Sequence, residues 1–249
     1  MQVVRAMRLR VKEAEAGRFE TAAAAQVERM HAGANDVVFY VVVRRRESGS
    51  FFSDPLPGTV EYLLLAAARD ASGADQLAAN EPASFWDEVN AALASPAEVE
   101  QIDEPDFTVG VSRDMVWTPQ SMWRLSLYRM RVKPNEGELE AAAEELIGRV
   151  IELEPDPRIY TLTKRKKGAA STLLPAAPSD RDEYIRFHAY QQEEGLNHHY
   201  YYDKMWWSSF YQPRLDGPLE AQQIFSDDIV AGFTRDNTWG HPRDYTGPR

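Results

Sequence analysis

The sequence repeats itself once, and this repeat constrains the fold more than any other feature. Four short segments of the first half recur in the same order in the second half, at offsets of 120 to 122 residues. The matched pairs are 8–12 with 129–133, 39–40 with 159–160, 61–62 with 183–184, and 112–114 with 234–236. Each copy is long enough for a small domain. We therefore predict a first repeat at residues 1–119, a second at 120–239, and a C-terminal tail at 240–249.

Hydrophobic spacing within each repeat predicts the order β-α-β-β-α-β. Strands are indicated by alternating or β-branched runs, and helices by apolar side chains at intervals of three and four residues. For the first and second repeat in turn, the predicted segments are a strand (3–12; 124–133), a helix (19–30; 139–150), a strand (37–43; 159–163), a strand (61–68; 183–191), a helix (85–93; 206–210) and a closing strand (107–111; 229–233).

This order is that of a ferredoxin-like unit, in which two helices cover one face of an antiparallel sheet. The other face is apolar and must be buried. Two repeats in one chain can cover each other sheet to sheet. We therefore expect an α+β fold of two tandem ferredoxin-like repeats, packed as a pseudo-dimeric α/β barrel with helices outside and a cavity between the sheets.

The chain resembles the dimeric α/β-barrel superfamily, including its antibiotic-biosynthesis-monooxygenase-like and NIPSNAP-like domains. The resemblance rests on the element order, the duplication, and the stretches from Ser72 to Trp86 and from Glu193 to Trp207. It implies a small-molecule pocket without naming the reaction, because the superfamily includes cofactor-free oxygenases, isomerases, haem enzymes and proteins with no known activity. By this resemblance no cofactor is expected, and haem is an open alternative.

Composition excludes several classes of function. The net charge of −11 opposes non-specific binding to nucleic acid or to an anionic membrane surface. The absence of cysteine excludes thiolate catalysis and cysteine-ligated metals. We find neither a membrane-spanning stretch nor a signal peptide and expect a cytoplasmic protein that binds a small molecule, with a homo-oligomer left open.

The two repeats differ most in their third strand. Tyr62, Leu64, Ala66 and Ala68 share one face in the first repeat, and the matching residues of the second are Tyr184, Arg186, His188 and Tyr190. We place the apolar face of this strand under the helices and these polar residues toward the inter-sheet cavity. His188 is the predicted acid or base, with Arg186 and Tyr190 orienting a substrate oxygen. The alternative is a polar layer that satisfies itself inside the barrel.

Further residues complete the predicted pocket. Tyr184, Tyr62 and Leu64 are predicted to bind substrate from the two facing walls, and Arg129 is placed at the rim. His198 and His199 are added because haem-handling relatives carry a histidine in roughly this helical region. The alternative for them is an amphipathic, tyrosine-rich helix that covers the barrel mouth or a partner chain. No metal site is predicted, because no ligand spacing of the His-Glu-x-x-His kind is present.

Two basic clusters, at 44–46 and 164–167, occupy equivalent positions of the repeat. We interpret them as charged strand ends that keep an exposed hairpin in solution, not as phosphate sites.

Two functions remain open at this stage. The first is a monooxygenase- or isomerase-like enzyme acting on an apolar or aromatic substrate with an acidic or enolisable group. The second is a non-catalytic binding or assembly protein with the same fold.

Overall fold

In the computed structural model, residues 3–46, 49–50, 52, 54–134, 138–206 and 211–240 are described. The predicted tail beyond Gly240, and Trp207 and Phe210 of the predicted second helix, lie outside these residues. Within the described part of the chain, no helix combines the length and the apolar character that a membrane span requires.

Both halves of the chain contain the same series of elements. The first half has β1 (Val3–Lys12), α1 (Ala16–Gly33), β2 (Val37–Arg45), β3 (Thr59–Ala68), α2 (Ala71–Ala79), α3 (Ala83–Ala92), β4 (Glu98–Asp103), β5 (Thr108–Ser112) and β6 (Met115–Trp117). The second half has β7 (Arg124–Arg131), α4 (Glu138–Leu153), β8 (Pro157–Lys164), β9 (Glu183–Tyr190), α5 (Glu193–Trp206), the short α6 (Gln212–Arg214), β10 (Glu220–Phe225), β11 (Ile229–Thr234) and β12 (Asn237–Trp239).

The strands form two antiparallel sheets of six with matching orders. One sheet has the order β4-β1-β3-β2-β11-β6 and the other β10-β7-β9-β8-β5-β12. The first four strands of each are arranged as in a ferredoxin-like unit, which confirms the predicted α+β fold class. Each sheet then takes one strand from each half of the chain, so the sheets do not follow the predicted division at residues 119 and 120. That division stays a prediction.

The prediction that the strands at 107–111 and 229–233 close their own repeats is wrong. The units are closed by β4 and β10, which pair with β1 and β7. The strands β5 and β11 cross instead to the other half, where β5 pairs with β8 and β11 with β2. This exchange ties the two halves together through backbone hydrogen bonds as well as through side-chain packing.

Where the sequence predicts a cavity, between the sheets, the described residues form a hydrophobic core. Phe39 and Trp117 pack there with Phe187 and Trp239, alongside aliphatic side chains from both sheets. The ring centroids of Phe39 and Phe187 are 6.2 Å apart. Two facing apolar sheets gain most by excluding water from the space between them. Separate apolar clusters lie on the outer faces, under α1 to α3 and under α4 and α5.

One end of the inter-sheet space holds buried ion pairs. Arg45 bonds to Glu61, and Arg165 bonds to Glu183 and to Glu100, with a distance of 2.8 Å from its Nε to a Glu100 carboxylate oxygen. The side chains of Arg45 and Arg165 are 0% exposed. The interpretation of both basic clusters as solvated strand ends is therefore wrong for their central arginines, since burial of a guanidinium requires carboxylate partners.

Candidate functional site

Strand β9 presents its polar face to the helices and not to the other sheet. Ile185, Phe187 and Ala189 belong to the inter-sheet core, whereas Tyr184 and Tyr190 belong to the cluster under α4 and α5. The predicted orientation of Arg186, His188 and Tyr190 is therefore wrong, because the apolar face of β9 is needed to close the core between the sheets. The prediction that these residues share one face is confirmed.

Arg186 lies at the centre of a buried polar cluster on this outer face. Its Nη2 donates to the Tyr160 hydroxyl and lies 3.5 Å from His188 Nδ1 and 3.3 Å from His199 Nε2. Its guanidinium also stacks over the Tyr160 ring, with 4.5 Å from Cζ to the ring centroid, and lies 5.6 Å from that of Tyr128. The arginine thus joins β8, β9 and α5 around one point.

His199 reaches this cluster from α5 and is held by a carboxylate. Its Nδ1 lies 3.0 and 3.1 Å from the two oxygens of Glu154, which follows α4. The Tyr190 hydroxyl donates to the same carboxylate at 3.4 Å. Because Nδ1 faces a carboxylate and Nε2 faces a guanidinium, the network assigns the imidazole proton to Nδ1. An imidazole that is oriented by a carboxylate is suited to proton transfer.

Under the first sheet, the positions that match five of these polar residues are apolar. Register fixes the match on the strands: Met7 pairs with Leu64 and Tyr40 with Ala66, as Tyr128 pairs with Arg186 and Tyr160 with His188. On the helices, Gly73 and Gly195 match because each packs against the aspartate just before the second strand of its half, Asp36 before β2 and Asp156 before β8. The first-half residues that match Glu154, Arg186, His188, Tyr190 and His199 are Ala34, Leu64, Ala66, Ala68 and Leu77.

His188 is buried and uncharged near neutral pH. Burial, followed by the positive charge of Arg186, lowers the pKa of His188 well below its ordinary value of 6.5. Its Nδ1 faces the guanidinium, which can only donate, so Nδ1 accepts and the proton lies on Nε2. This assignment differs from the acid or base role that the sequence predicts, because a histidine that resists protonation is a poor proton acceptor.

The lowered pKa predicts that His188 makes the protein sensitive to acid. The unfolded chain takes up a proton at residue 188 below pH 6.5 and the folded chain does not, so stability falls as the pH drops from 6.5 toward the folded pKa. The loss is up to about 1.4 kcal/mol per pH unit. In His188→Ala, urea unfolding between pH 7.5 and 5 is expected to show a shallower fall. A slope equal to that of the wild type would contradict the assignment.

Tyr62 and Tyr184 make matching bonds to the first helix of each half. The Tyr62 hydroxyl donates to Glu20 of α1 at 2.7 Å, and the Tyr184 hydroxyl to Glu140 of α4 at 2.8 Å. Leu64 is buried with Tyr62 under the helices of the first half. Tyr62 and Leu64 therefore lie on the opposite outer face of the molecule from Arg186 and do not form a facing wall with it.

Arg129 and His198 also lie apart from the cluster. Arg129 pairs with Glu183 at 2.8 Å and with Glu220 at 3.1 Å, in the ion-pair group between the sheets. His198 is exposed on α5, whereas the adjacent His199 is fully buried. The structure thus brings together four of the nine predicted site residues: Arg186, His188, Tyr190 and His199.

The two buried histidines do not fit as ligands of a haem iron. The nitrogens of His199 face Glu154 and Arg186, and a His188 Nε2 ligand would require a proton on Nδ1, which faces the guanidinium. No group of three or more residues able to hold a metal ion is present in the described part of the chain.

Four residues of the cluster are not among the site residues predicted from the sequence: Glu154, Tyr160, Tyr128 and Ser126. A signal for Glu154 is present, because it matches Ala34 at the 120-residue offset. Tyr160 carries no such signal, since Tyr40 occupies the matching position.

At the outer side of the cluster, Arg124 donates to the Tyr200 hydroxyl at 2.9 Å. Burial, with a smaller effect of Tyr128, raises the pKa of Tyr200 to about 12, so this hydroxyl stays protonated near neutral pH.

Comparison with solved structures supports the fold. A "putative monooxygenase" from Lactobacillus acidophilus NCFM superposes with a TM-score of 0.65 at 10% identity, covering 95% of this chain and 98% of that chain. A "putative monooxygenase" from Fusobacterium nucleatum gives 0.63 at 11%, covering 96% and 97%. At this identity the likeness shows the fold alone. A heme-binding protein from Thermus thermophilus, at a TM-score of 0.38, is too distant to bear on the cofactor. No family model and no curated protein matches the sequence.

Proposed function

We propose that this chain binds an apolar or aromatic small molecule with an acidic or enolisable group, in the polar cluster between β7 to β9 and helices α4 and α5. One observation carries the proposal: five ionisable or hydroxylated side chains stand where the first half has alanine and leucine. Burying such groups costs free energy, and the same fold does without them in its other half. A cost of this kind is expected where a site serves binding or catalysis.

We further propose that the ligand is turned over by a cofactor-independent, monooxygenase- or isomerase-like reaction. Both begin with removal of a proton, either from the carbon beside a carbonyl group or from a phenol hydroxyl. The proposed proton acceptor is His199 Nε2, which becomes free to accept when the Arg186 guanidinium turns from it to the substrate oxygen. Arg186 and His188 then orient the oxygen on which negative charge develops. Oxygenation then transfers one atom of dioxygen to the substrate carbon, and the other atom leaves as water with two electrons and two protons of the substrate.

Arg186→Leu tests this proposal with the residue of the matching position, Leu64. We expect 2-naphthol and 1,4-dihydroxynaphthalene to quench the intrinsic fluorescence of the wild type, and the variant to bind them about 10- to 100-fold more weakly. With 1,4-dihydroxynaphthalene as substrate, oxygen uptake measures oxygenation, and the absorbance of its tautomer measures isomerisation.

The matched control for this experiment is Leu64→Met, a substitution of similar volume at the matching position, where no binding is proposed. Equal affinity of Arg186→Leu and the wild type would remove the cluster as the binding site.

A second candidate is non-catalytic binding or assembly. It is favoured by the aromatic surface outside the cluster, where Tyr201 is 78% exposed and Trp123 and Tyr200 are each 39% exposed. Binding without oxygen uptake or isomerisation, together with a higher oligomer in light scattering, would favour this candidate over the enzyme.

A further inference from the structure

One polar atom of each of two cluster side chains has no hydrogen-bond partner among the described residues. They are Ser126, through its Oγ, and His188, through its Nε2. Ser126 is 0% exposed and His188 is 1% exposed. An unpaired polar atom at such depth costs about 1–3 kcal/mol, and native structures contain few of them. Two within one cluster therefore require an explanation.

Strand register places these two side chains beside each other. Ser126 of β7 is the direct cross-strand partner of His188 on β9. The neighbours of Ser126 on its strand, Leu125 and Leu127, point into the inter-sheet core, so Ser126 points to the same outer face as His188. Directly paired residues of antiparallel strands have Cβ atoms about 4.5–5.5 Å apart, close enough for both side chains to contact one small group.

Both atoms can donate a hydrogen bond. The His188 proton lies on Nε2, because Nδ1 accepts from Arg186. The Ser126 hydroxyl is free to rotate and can also donate. Two adjacent donors that are kept from water are the arrangement that stabilises negative charge on an oxygen. The first half lacks this pair, since Arg5 and Ala66 occupy the matching positions and Arg5 is bonded to Glu81.

We infer that Ser126 Oγ and His188 Nε2 form a two-donor subsite for one oxygen atom of the ligand, so that the ligand class is phenols, enols and carbonyl compounds. The inference rests on the proposed function and specifies the part of the cluster that recognises oxygen. Ser126 is then a binding residue that sequence comparison of the halves does not reveal.

Ser126→Ala separates this role from a structural one. A hydroxyl without a protein partner contributes nothing to the fold, so the thermal midpoint of the variant should equal or exceed that of the wild type. The matched control is Ser112→Ala. Ser112 is equally buried, but its hydroxyl donates to the Arg235 carbonyl at 2.6 Å. Its midpoint should fall by about 2–4 °C.

Ligand binding provides the second measurement. 4-Nitrophenol and 4-nitrotoluene have the same nitroaryl ring, but only the former offers a phenolic oxygen. We expect the wild type and Ser112→Ala to prefer 4-nitrophenol, and Ser126→Ala to bind it about tenfold more weakly with unchanged affinity for 4-nitrotoluene. Long-range ¹H–¹⁵N spectra should show the Nε2–H tautomer of His188, assigned by its loss in His188→Ala.

The outcomes distinguish the two proposals. If 4-nitrophenol binds and Arg186→Leu weakens it, but Ser126→Ala binds it normally or unfolds as early as Ser112→Ala, the subsite is wrong and the proposed function stands. A His188 proton on Nδ1 also overturns the subsite alone. If the wild type binds neither this phenol nor the naphthols, the proposed function fails and the subsite with it.

Discussion

Arg165→Met is expected to lower the free energy of unfolding by about 3–5 kcal/mol, the largest loss for a single substitution proposed here. Arg165 is fully buried and bonds to Glu183 of its own sheet and to Glu100 of the other. It also donates to the Pro175 carbonyl at 3.1 Å. Removing it leaves the Glu100 carboxylate without this cation at a position that is 4% exposed. Urea unfolding at neutral pH measures the loss.

Two companion variants test whether burial causes this loss. Glu100→Gln keeps the shape of the side chain, and glutamine is the residue at the matching position of the second half, Gln222. We expect this variant to lose less free energy of unfolding, about 1–3 kcal/mol. Arg18→Met removes an exposed pair with Glu88 that also joins two elements, and it should cost less than about 1 kcal/mol. Equal losses for Arg165→Met and Arg18→Met would show that the inter-sheet ion pair does not stabilise the fold.

The same ion pairs explain why strand β4 could not be predicted from the sequence. Its residues, Glu98 to Asp103, alternate carboxylates with apolar side chains and resemble an exposed segment. Glu98 and Glu100 are satisfied by Arg8, Arg10 and Arg165, which lie about 65 to 90 residues away in the chain. A local pattern carries no information about such distant partners, so the strand and the buried arginines were both missed.

The element order, by contrast, followed from local information. Alternation and helical spacing locate most of the strands and helices, and the repeat requires a second copy of the same unit. The two sheets have the same strand order. The exchange of β5 and β11 between the halves could not be predicted from the sequence, because each of these strands has equally apolar strands to pair with in both sheets.

The candidate site was half predictable for a similar reason. Period-two alternation shows that Arg186, His188 and Tyr190 share a face of β9, but it does not show which side of the sheet that face takes. In the first half both faces of β3 are apolar, so comparing the halves does not show which face of β9 lies under the helices. Glu154 and His199 come from helix α4's end and from α5, and only folding brings them to the strand.

The second large effect concerns the cluster as a unit. We expect the triple variant Glu154→Ala, Arg186→Leu, His199→Leu to bind 2-naphthol more than 100-fold more weakly than the wild type, and yet to be more stable than Glu154→Ala or Arg186→Leu alone. Each single substitution leaves a buried charge or donor without its partner. The triple variant removes both buried charges and the imidazole between them, so that only neutral groups, the Tyr160 and Tyr190 hydroxyls and His188, lose a partner. It gives each position the residue of the matching first-half position, Ala34, Leu64 or Leu77.

In this result the stability changes of the single variants would not add up, and the triple variant would be more stable than their sum predicts. If the three residues acted independently, the losses of stability would sum, and the triple variant would be the least stable of the series. Because they are bonded to one another, their joint replacement removes the buried charges as a set and places at these three positions the apolar residues that pack under the helices of the first half. Urea unfolding of the singles, the doubles and the triple gives the coupling directly. A triple variant that is less stable than every single variant would show that the cluster holds the fold together, and the asymmetry between the halves would then need no ligand to explain it.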